Sequence, residues 1–523
     1  MLVGVARARW AWLALFIACA SLHTCTARGR ITYPDDEIVF QTTQSLAERG
    51  SLAIAGIPHR TGEKPSQPTG TFGWAKGRDG QRYGFFGHGL SIVALPMYAL
   101  GRASLDHVEP HWRNAIRADL FAFHARGPEA DWLRIVVSLT NCLITPFAAL
   151  LLGVWARVLG ASLRPAIALA LIYALATTAW PYAGTFLSEP LSTVVLLGAA
   201  LAVARWHRER TSGRSRWLAC AGLLAGLSVH VHLLNLIAIP CLLGYAFAPT
   251  WRARSWARER KAWALALALG LLAVIGLLVD QAWRFGDPFE TGRYADYGRW
   301  IWPFEALLTM LVAPGRSLIL YSPPVLLAAF AWTELRRRDP DTAWFVLAIA
   351  GTRLLLVACR SDWHGGWGIG PRYLVPIVPF MVLPLIGPLE RWRELGRARR
   401  WTHLSVIAGS IALQGWLAIH SIFQVMWMIN QAHGRVRYWA VADWQLGAMP
   451  AVAFWRLEQP TFAFLRAGKW AAARASAQVD LLGMGAWRVA ASVGETGLLR
   501  IFEVIGVVGL LAALALAWLI RRR

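Results

Sequence analysis

The stretch WRARSWARERKAWALALALGLLAVIGLLVDQAWRFGDPFE, residues 251–290, decides the fold. Between Lys261 and Asp280 it carries no charge, and a helix needs roughly 20 apolar residues to cross a bilayer. Its flanks differ in kind. Arg252, Arg254, Arg258, Arg260 and Lys261 crowd the N-terminal side, whereas Trp283, Gly286, Asp287, Pro288 and Glu290 gather around a single Arg284 on the other. Cytoplasmic loops collect Arg and Lys, so the run reads as a transmembrane helix at 262–283 that starts in the cytoplasm.

The rest of the chain repeats this pattern. Apolar runs lie near 10–22, 132–158, 165–182, 184–204, 217–232, 234–248, 317–334, 342–359, 372–389, 402–424 and 501–520. With 262–283 they predict an all-α polytopic membrane protein of about twelve transmembrane helices. The runs are continuous rather than alternating, which excludes a β-barrel. Alternate connections are basic: ARVLGASLR, RWHRERTSGRSR, WRARSWARERK, ELRRRD, ERWRELGRARR and the terminal RRR. Those between them are rich in acids, Trp, Gly and Pro: WPYAGTFLSEP, RFGDPFETGRYADYGRW and SDWHGGWGIGPR. Both termini are therefore expected in the cytoplasm. The short run Leu90–Leu100, interrupted by Pro96, reads as an interfacial or re-entrant helix, because a full span there would invert every later loop.

Composition agrees. The 523 residues are 56% hydrophobic and 16% charged, with mean hydropathy +0.42. The formal charge of +23 falls in short clusters between spans, so topology explains it without a nucleic-acid partner. Six cysteines sit in or beside apolar runs with no CxxC pair, and neither a disulfide frame nor a zinc site is indicated. Arg7 and Arg9 before the first run fit an uncleaved signal anchor. Residues 1–424 read as a transmembrane catalytic domain that includes a first outer loop at 26–131. Residues 425–500 read as an outer segment of short helices, and 501–523 as a last span with a basic tail.

The unusual polar residues collect on the outer side. YPDDEIVF, residues 33–40, places Asp35, Asp36 and Glu37 just after the first span. Asp35 or Asp36 is suited to N-cap a helix ending at Arg49, with Gly50 as its stop, lying on or against the membrane. The plain alternative to a site is acids that complement a helix dipole. Glu189 stands between two spans with almost no loop, where a carboxylate is costly unless hydrated, paired or metal-bound. His88, between Gly87 and Gly89, is placed to meet a phosphate or simply to sit at the interface. Arg372, at the mouth of a span after the Trp- and Gly-rich WHGGWGIGP, is suited to clamp a phosphate or to snorkel. His230, His232 and Asn235 read as interhelical hydrogen-bonding groups. No P-loop, HExxH, GxSxG or dinucleotide fingerprint is present, so no nucleotide cofactor is expected.

Taken together, the motifs resemble the GT-C superfamily, polytopic glycosyltransferases that use polyprenyl-phosphate sugars. The similarity is nearest to the bacterial branch of protein O-mannosyltransferases and aminoarabinose transferases. YPDDE resembles that family's acidic motif in the first outer loop, and FLSEP (186–190) its second acidic site. YGFFGHGLSIVALPMYALG (83–101), APGRSLILYSPP (313–324) and WHGGWGIGPRYLVPIVPF (363–380) are similar to its later outer elements, although His88 stands where many relatives carry Lys. The resemblance covers about residues 33–390. It implies Asp36 as catalytic base, with Glu37 and Glu189 assisting. It further implies His88, Arg372, Tyr373, Trp363 and His364 at the substrate, and leaves open a divalent cation on Asp36 and Glu189. The implied partners are a polyprenyl-phosphate sugar, a lipid, glycan or protein acceptor, and membrane lipids. The expected location is the outer face of a bacterial cytoplasmic membrane. A transporter or flippase of a lipid-linked anion is the competing function, and a non-catalytic scaffold a third.

Overall fold

The computed structural model describes residues 2–31, 33–55, 73–108, 128–209, 214–293, 299–366, 368–422, 443–482 and 496–521. Helices dominate them, and the only sheet among the described residues is a two-stranded hairpin, Trp74–Lys76 with Arg82–Gly84. Eight helical stretches are long and apolar enough to cross a membrane: Ala6–Cys25, Asp131–Val158, Glu189–Arg208, Leu233–Arg252, Trp256–Phe285, Pro340–Ala358, Arg372–Glu390 and Leu499–Arg521. The chain is thus a multi-pass membrane protein.

The other four expected spans are also helical, but each departs from a simple crossing. Leu163–Ala176 and Ser215–Val231 are shorter. Residues 318–338 form three pieces, Leu318–Tyr321, Pro324–Phe330 and Trp332–Arg338. Pro323 and Pro324 cause the first break, since proline has no N–H to donate into a helix. Arg397–Ala418 begins with a basic turn. The stretch from Arg372 runs as short α and 3-10 pieces for the same reason, with Pro376, Pro379, Pro384 and Pro388 spaced through it.

The main core lies where the first helix, Leu2–Cys25, meets Thr140–Val158, Leu163–Ala176 and Glu189–Arg208, around the fully buried Trp155. Alanine and glycine let these helices approach closely. Between Ser215–Val231 and Trp256–Phe285 there is no room for a methyl group, because a Cβ on Gly222 would lie 2.1 Å from the Ala266 carbonyl oxygen.

A second core holds the segment that follows the first helix. Val39 and Phe40 pack with Leu90, Ala94, Tyr98, Leu133 and Phe186. The helix that supplies them, Pro34–Arg49, begins at Pro34 with Tyr33 in an extended N-cap conformation and without a side-chain cap. It ends at Gly50, whose φ of 62° and ψ of 24° form the expected left-handed stop. Neither Asp35 nor Asp36 caps it. The helix is not laid on the membrane either: most of Asp36 to Ser45 is buried in protein. Leu90–Leu100 is helical in two pieces, Gly89–Val93 and Leu95–Ser104. Within 443–482 the described helices are short: Pro450–Leu457, Gln459–Arg466 and Trp470–Ser476.

Glu37 fixes the rotation of Pro34–Arg49. Its two carboxylate oxygens accept from Arg134, Nε at 2.9 Å and Nη2 at 2.7 Å, and Gln41 donates to one of them at 2.9 Å. Arg134 also stacks over Phe40, 4.5 Å from the ring centroid. Breaking one partner of a buried pair strands the other charge. Arg134→Ala is therefore expected to destabilise the protein by about 3–5 kcal/mol, read as a fall in thermal midpoint in detergent. The double variant Arg134→Met/Glu37→Gln should recover much of it.

Candidate active site

Two helix N-termini and one loop converge. Asp35 and Asp36 lie in the first turn of Pro34–Arg49, and Glu189 opens Glu189–Arg208. Helix N-termini favour carboxylates, so all three acids begin in a stabilising field. The third contributor is Arg372, 7% exposed, at the end of the loop 361–371. Its Nε donates to Glu189 Oε1 at 2.6 Å and its Nη1 to Asp35 Oδ2 at 2.9 Å. Nη1 also lies 3.3 Å from the Gly365 carbonyl oxygen. Gly365 has a φ of 65°, a conformation glycine adopts at little cost, and this aims its carbonyl back at the arginine.

Asp36 is 1% exposed. Its Oδ2 receives a long 3.4 Å hydrogen bond from the Phe186 amide, while Oδ1 has no hydrogen-bond partner among the described residues. The same holds for Glu189 Oε2 and for the hydroxyl of the buried Tyr182. Tyr182 senses the charges of Glu189 and Arg372, and its hydroxyl would lie 2.8 Å from a Cβ on Gly368. Three buried polar atoms left unpaired around one guanidinium form a place for a small polar group, because folded proteins otherwise pair such atoms.

Burial holds the Asp36 carboxyl well above the usual carboxylate range, and the charges of Asp35 and Glu189 raise it further against the pull of Arg372. Tyr33, packed beside it, is pushed to about 12 by burial.

The flanking residues complete the picture. His364 is held neutral at about 4 by burial and by Arg316. Its Nδ1 accepts from the Gly366 amide at 3.0 Å, which leaves Nε2 as the donor. Trp363 packs partly buried against the main core, 6.0 Å centroid to centroid from His364. Tyr373 lies under Arg372 and 5.8 Å from the ring of His232. The charges of Arg293, Arg353, Arg372 and Arg360 act on His232, although Arg372 is paired with Asp35 and Glu189 and Arg360 with Asp362.

Of the sequence-predicted residues, the structure brings together Asp36, Glu189 and Arg372, with Tyr373, Trp363 and His364 alongside. Glu37 belongs instead to Arg134. His88 is held by Asp280, Nε2 to Oδ2 at 3.2 Å, and Arg284 donates to that same oxygen at 2.6 Å. His230 does bond between helices, to the Ala273 carbonyl oxygen at 2.7 Å, whereas His232 only caps its own turn through the Leu234 amide. Sequence reasoning missed Tyr182, Asp280, Arg134 and Arg353. The last was visible as an arginine inside an apolar run. It donates to the Tyr373 carbonyl at 2.6 Å and to Asn235 at 3.1 Å, which steadies the turn after Arg372.

No protein-family model matches the chain, and no curated protein does. Solved structures do show a likeness. ArnT from Cupriavidus metallidurans bound to undecaprenyl phosphate aligns at 15% identity over 97% of this chain and 76% of that one, with a TM-score of 0.49. Its apo form aligns at 14% identity over 99% and 77%, also at 0.49. The Archaeoglobus fulgidus oligosaccharyltransferase aligns at 13% identity over 84% and 60%, at 0.45. A likeness of this size transfers no chemistry, which rests on the residues described above.

An unpaired buried hydroxyl is a liability to folding. Tyr182→Phe is expected to leave the thermal midpoint unchanged or raise it, by up to about 1–3 kcal/mol of stability. A clear fall would mean that the hydroxyl has a structural partner.

Proposed function

We propose that this protein is a GT-C-type membrane glycosyltransferase that moves a hexose or pentose from a polyprenyl-phosphate sugar to an acceptor hydroxyl. The observation that carries this reading is the buried, unpaired Asp36 Oδ1 beside the Arg372–Glu189–Asp35 bridge. The loop-charge pattern supports N-in, C-in topology, with the site on the outer face of a bacterial cytoplasmic membrane.

The chemistry follows from the charges. The acceptor hydroxyl enters the space between Asp36, Glu189 and Tyr182. Its oxygen attacks the anomeric carbon as the bond from that carbon to the phosphate oxygen breaks, and the electron pair leaves with the polyprenyl phosphate. The hydroxyl proton passes to the Asp36 carboxylate. One such displacement inverts the anomeric centre. Developing negative charge on the phosphate is stabilised by fixed cations, for which Arg372, Arg360 and Arg293 near Tyr373 and His232 are best supplied. His364 Nε2–H and Trp363 are suited to the sugar. We assign Glu37 to positioning the helix and His88 to the edge of the donor path, through Asp280 and Arg284.

A divalent cation fits the site in donor type. Asp36 Oδ1 and Glu189 Oε2 are free carboxylate oxygens of the kind such ions take. These two residues would hold it, and when bound it would add positive charge for the leaving phosphate. Among the described residues no group of three His, Cys, Asp or Glu side chains is arranged for a metal. The acceptor is a lipid, glycan or protein.

A carrier of the same lipid would move the donor intact, so release of polyprenyl phosphate separates the two functions. The test uses purified protein in nanodiscs with a panel of synthetic polyprenyl-phosphate sugars. Wild type should release polyprenyl phosphate from one of them, and Asp36→Asn should slow release by about 10²–10⁴-fold. Equal turnover in the variant would remove Asp36 as the base. The rate should also fall as pH drops through the raised Asp36 value, because the base must be ionised to accept a proton. A flat profile across that range would contradict the assignment.

A further inference from the structure

The segment after the long Trp256–Phe285 helix carries a second surface. Trp300, Trp302 and Phe304 are 73%, 77% and 64% exposed. The helix Phe304–Val312 continues the stripe at four-residue spacing, with Leu308 55% and Val312 46% exposed. Its opposite face is the reverse: Ala306 and Met310 are fully buried and Thr309 is 1% exposed. At 9 residues this helix is too short to cross a bilayer, which takes roughly 20. An apolar stripe on a short helix, led by tryptophans, suits the boundary between headgroups and acyl chains.

The neighbouring surface says what covers it. The outward face of Trp256–Phe285 is a lipid-facing side of a membrane-crossing helix, with Leu272, Val279 and Trp283 exposed, and Phe289 just beyond is 79% exposed. In the chain, Trp300 follows the C-terminal end of that helix, Phe285, by 15 residues. The exposed Arg299 at the start of the stripe adds a cation that complements lipid phosphate.

We propose that Trp300–Val312 lies in the headgroup layer of the bilayer and binds phospholipid along Trp302, Phe304, Leu308 and Val312. This segment is tied to the active-site loop. Ile301 N–H donates to the Cys359 carbonyl at 2.7 Å and Ser361 N–H to the Arg299 carbonyl at 2.8 Å. Trp300 and Arg360 pair as an antiparallel bridge. Five residues after Arg360, Gly365 presents its carbonyl to Arg372. The bilayer surface therefore sets the height of the loop that holds Arg372.

The inference stands apart from the glycosyltransferase reading, and its test needs no substrate. Benzoylphenylalanine replaces Trp302, Leu308 or, as a control, Asp79 at the exposed tip of the hairpin, in full-length protein. All three positions are exposed, and each variant is checked by its elution profile and thermal midpoint, the Asp79 variant in particular because Asp79 accepts from the Gln81 amide and the Tyr83 hydroxyl. After reconstitution in nanodiscs of phosphatidylethanolamine and phosphatidylglycerol and irradiation, mass spectrometry counts lipid adducts. Adducts at positions 302 and 308 should exceed those at 79 by about tenfold or more, as expected for side chains buried in the headgroup layer. Yields equal to the control, or cross-linked dimers in place of lipid adducts, would overturn the proposal.

Discussion

One guanidinium holds the site together. Arg372 joins Asp35 and Glu189, which begin two different helices, and it is itself held by the Gly365 carbonyl. Without that charge, three carboxyls would face one another in a buried space. With it, Asp35 and Glu189 have a counter-ion, while burial, helped by those two charges and opposed by Arg372, drives the Asp36 carboxyl upward. A buried pair of this kind adds little stability on its own, since desolvation offsets much of the Coulomb attraction. Its value lies in setting the positions and charge states of groups that would otherwise repel.

The surrounding architecture serves that contact. Arg134 grips Glu37 and so turns Asp35 and Asp36 toward Arg372, because successive residues on a helix point about 100° apart. Arg353 bonds the Tyr373 carbonyl and holds the turn that follows. From further along the chain, Asp443 accepts from the Nε of Arg316 at 2.9 Å, and Arg316 also donates to the His364 carbonyl. Residues distant in sequence therefore converge on the loop 361–371 from several sides.

Much of this was legible in the sequence. Uninterrupted apolar runs and alternating basic loops marked the spans, because bilayer length and loop charge are properties of local sequence. The end of the helix at Gly50 was equally local. The approach of Asp36 to Glu189 could be anticipated only from motif resemblance, since nothing in either stretch encodes the other's position. The pairing of Glu37 with Arg134 was not legible, because the two are remote in sequence and ion pairs leave no periodic trace. The contact of His88 with Asp280 was hidden for the same reason, the two lying far apart in sequence. Segmentation at 318–338 and 372–390 was written in the prolines, whose breaking effect hydropathy alone does not register.

The central claim is that Arg372 and the unpaired oxygen of Asp36 frame the place where a sugar is transferred from a lipid phosphate. The most direct measurement is a cryo-EM structure of the protein in nanodiscs with a non-hydrolysable polyprenyl-phosphate sugar. The account expects the phosphate within hydrogen-bonding distance of Arg372 or its neighbours Arg360 and Arg293, and the anomeric carbon facing Asp36. A donor bound away from these residues, or an Arg372 that in the complex contacts neither Asp35 nor Glu189, would contradict it.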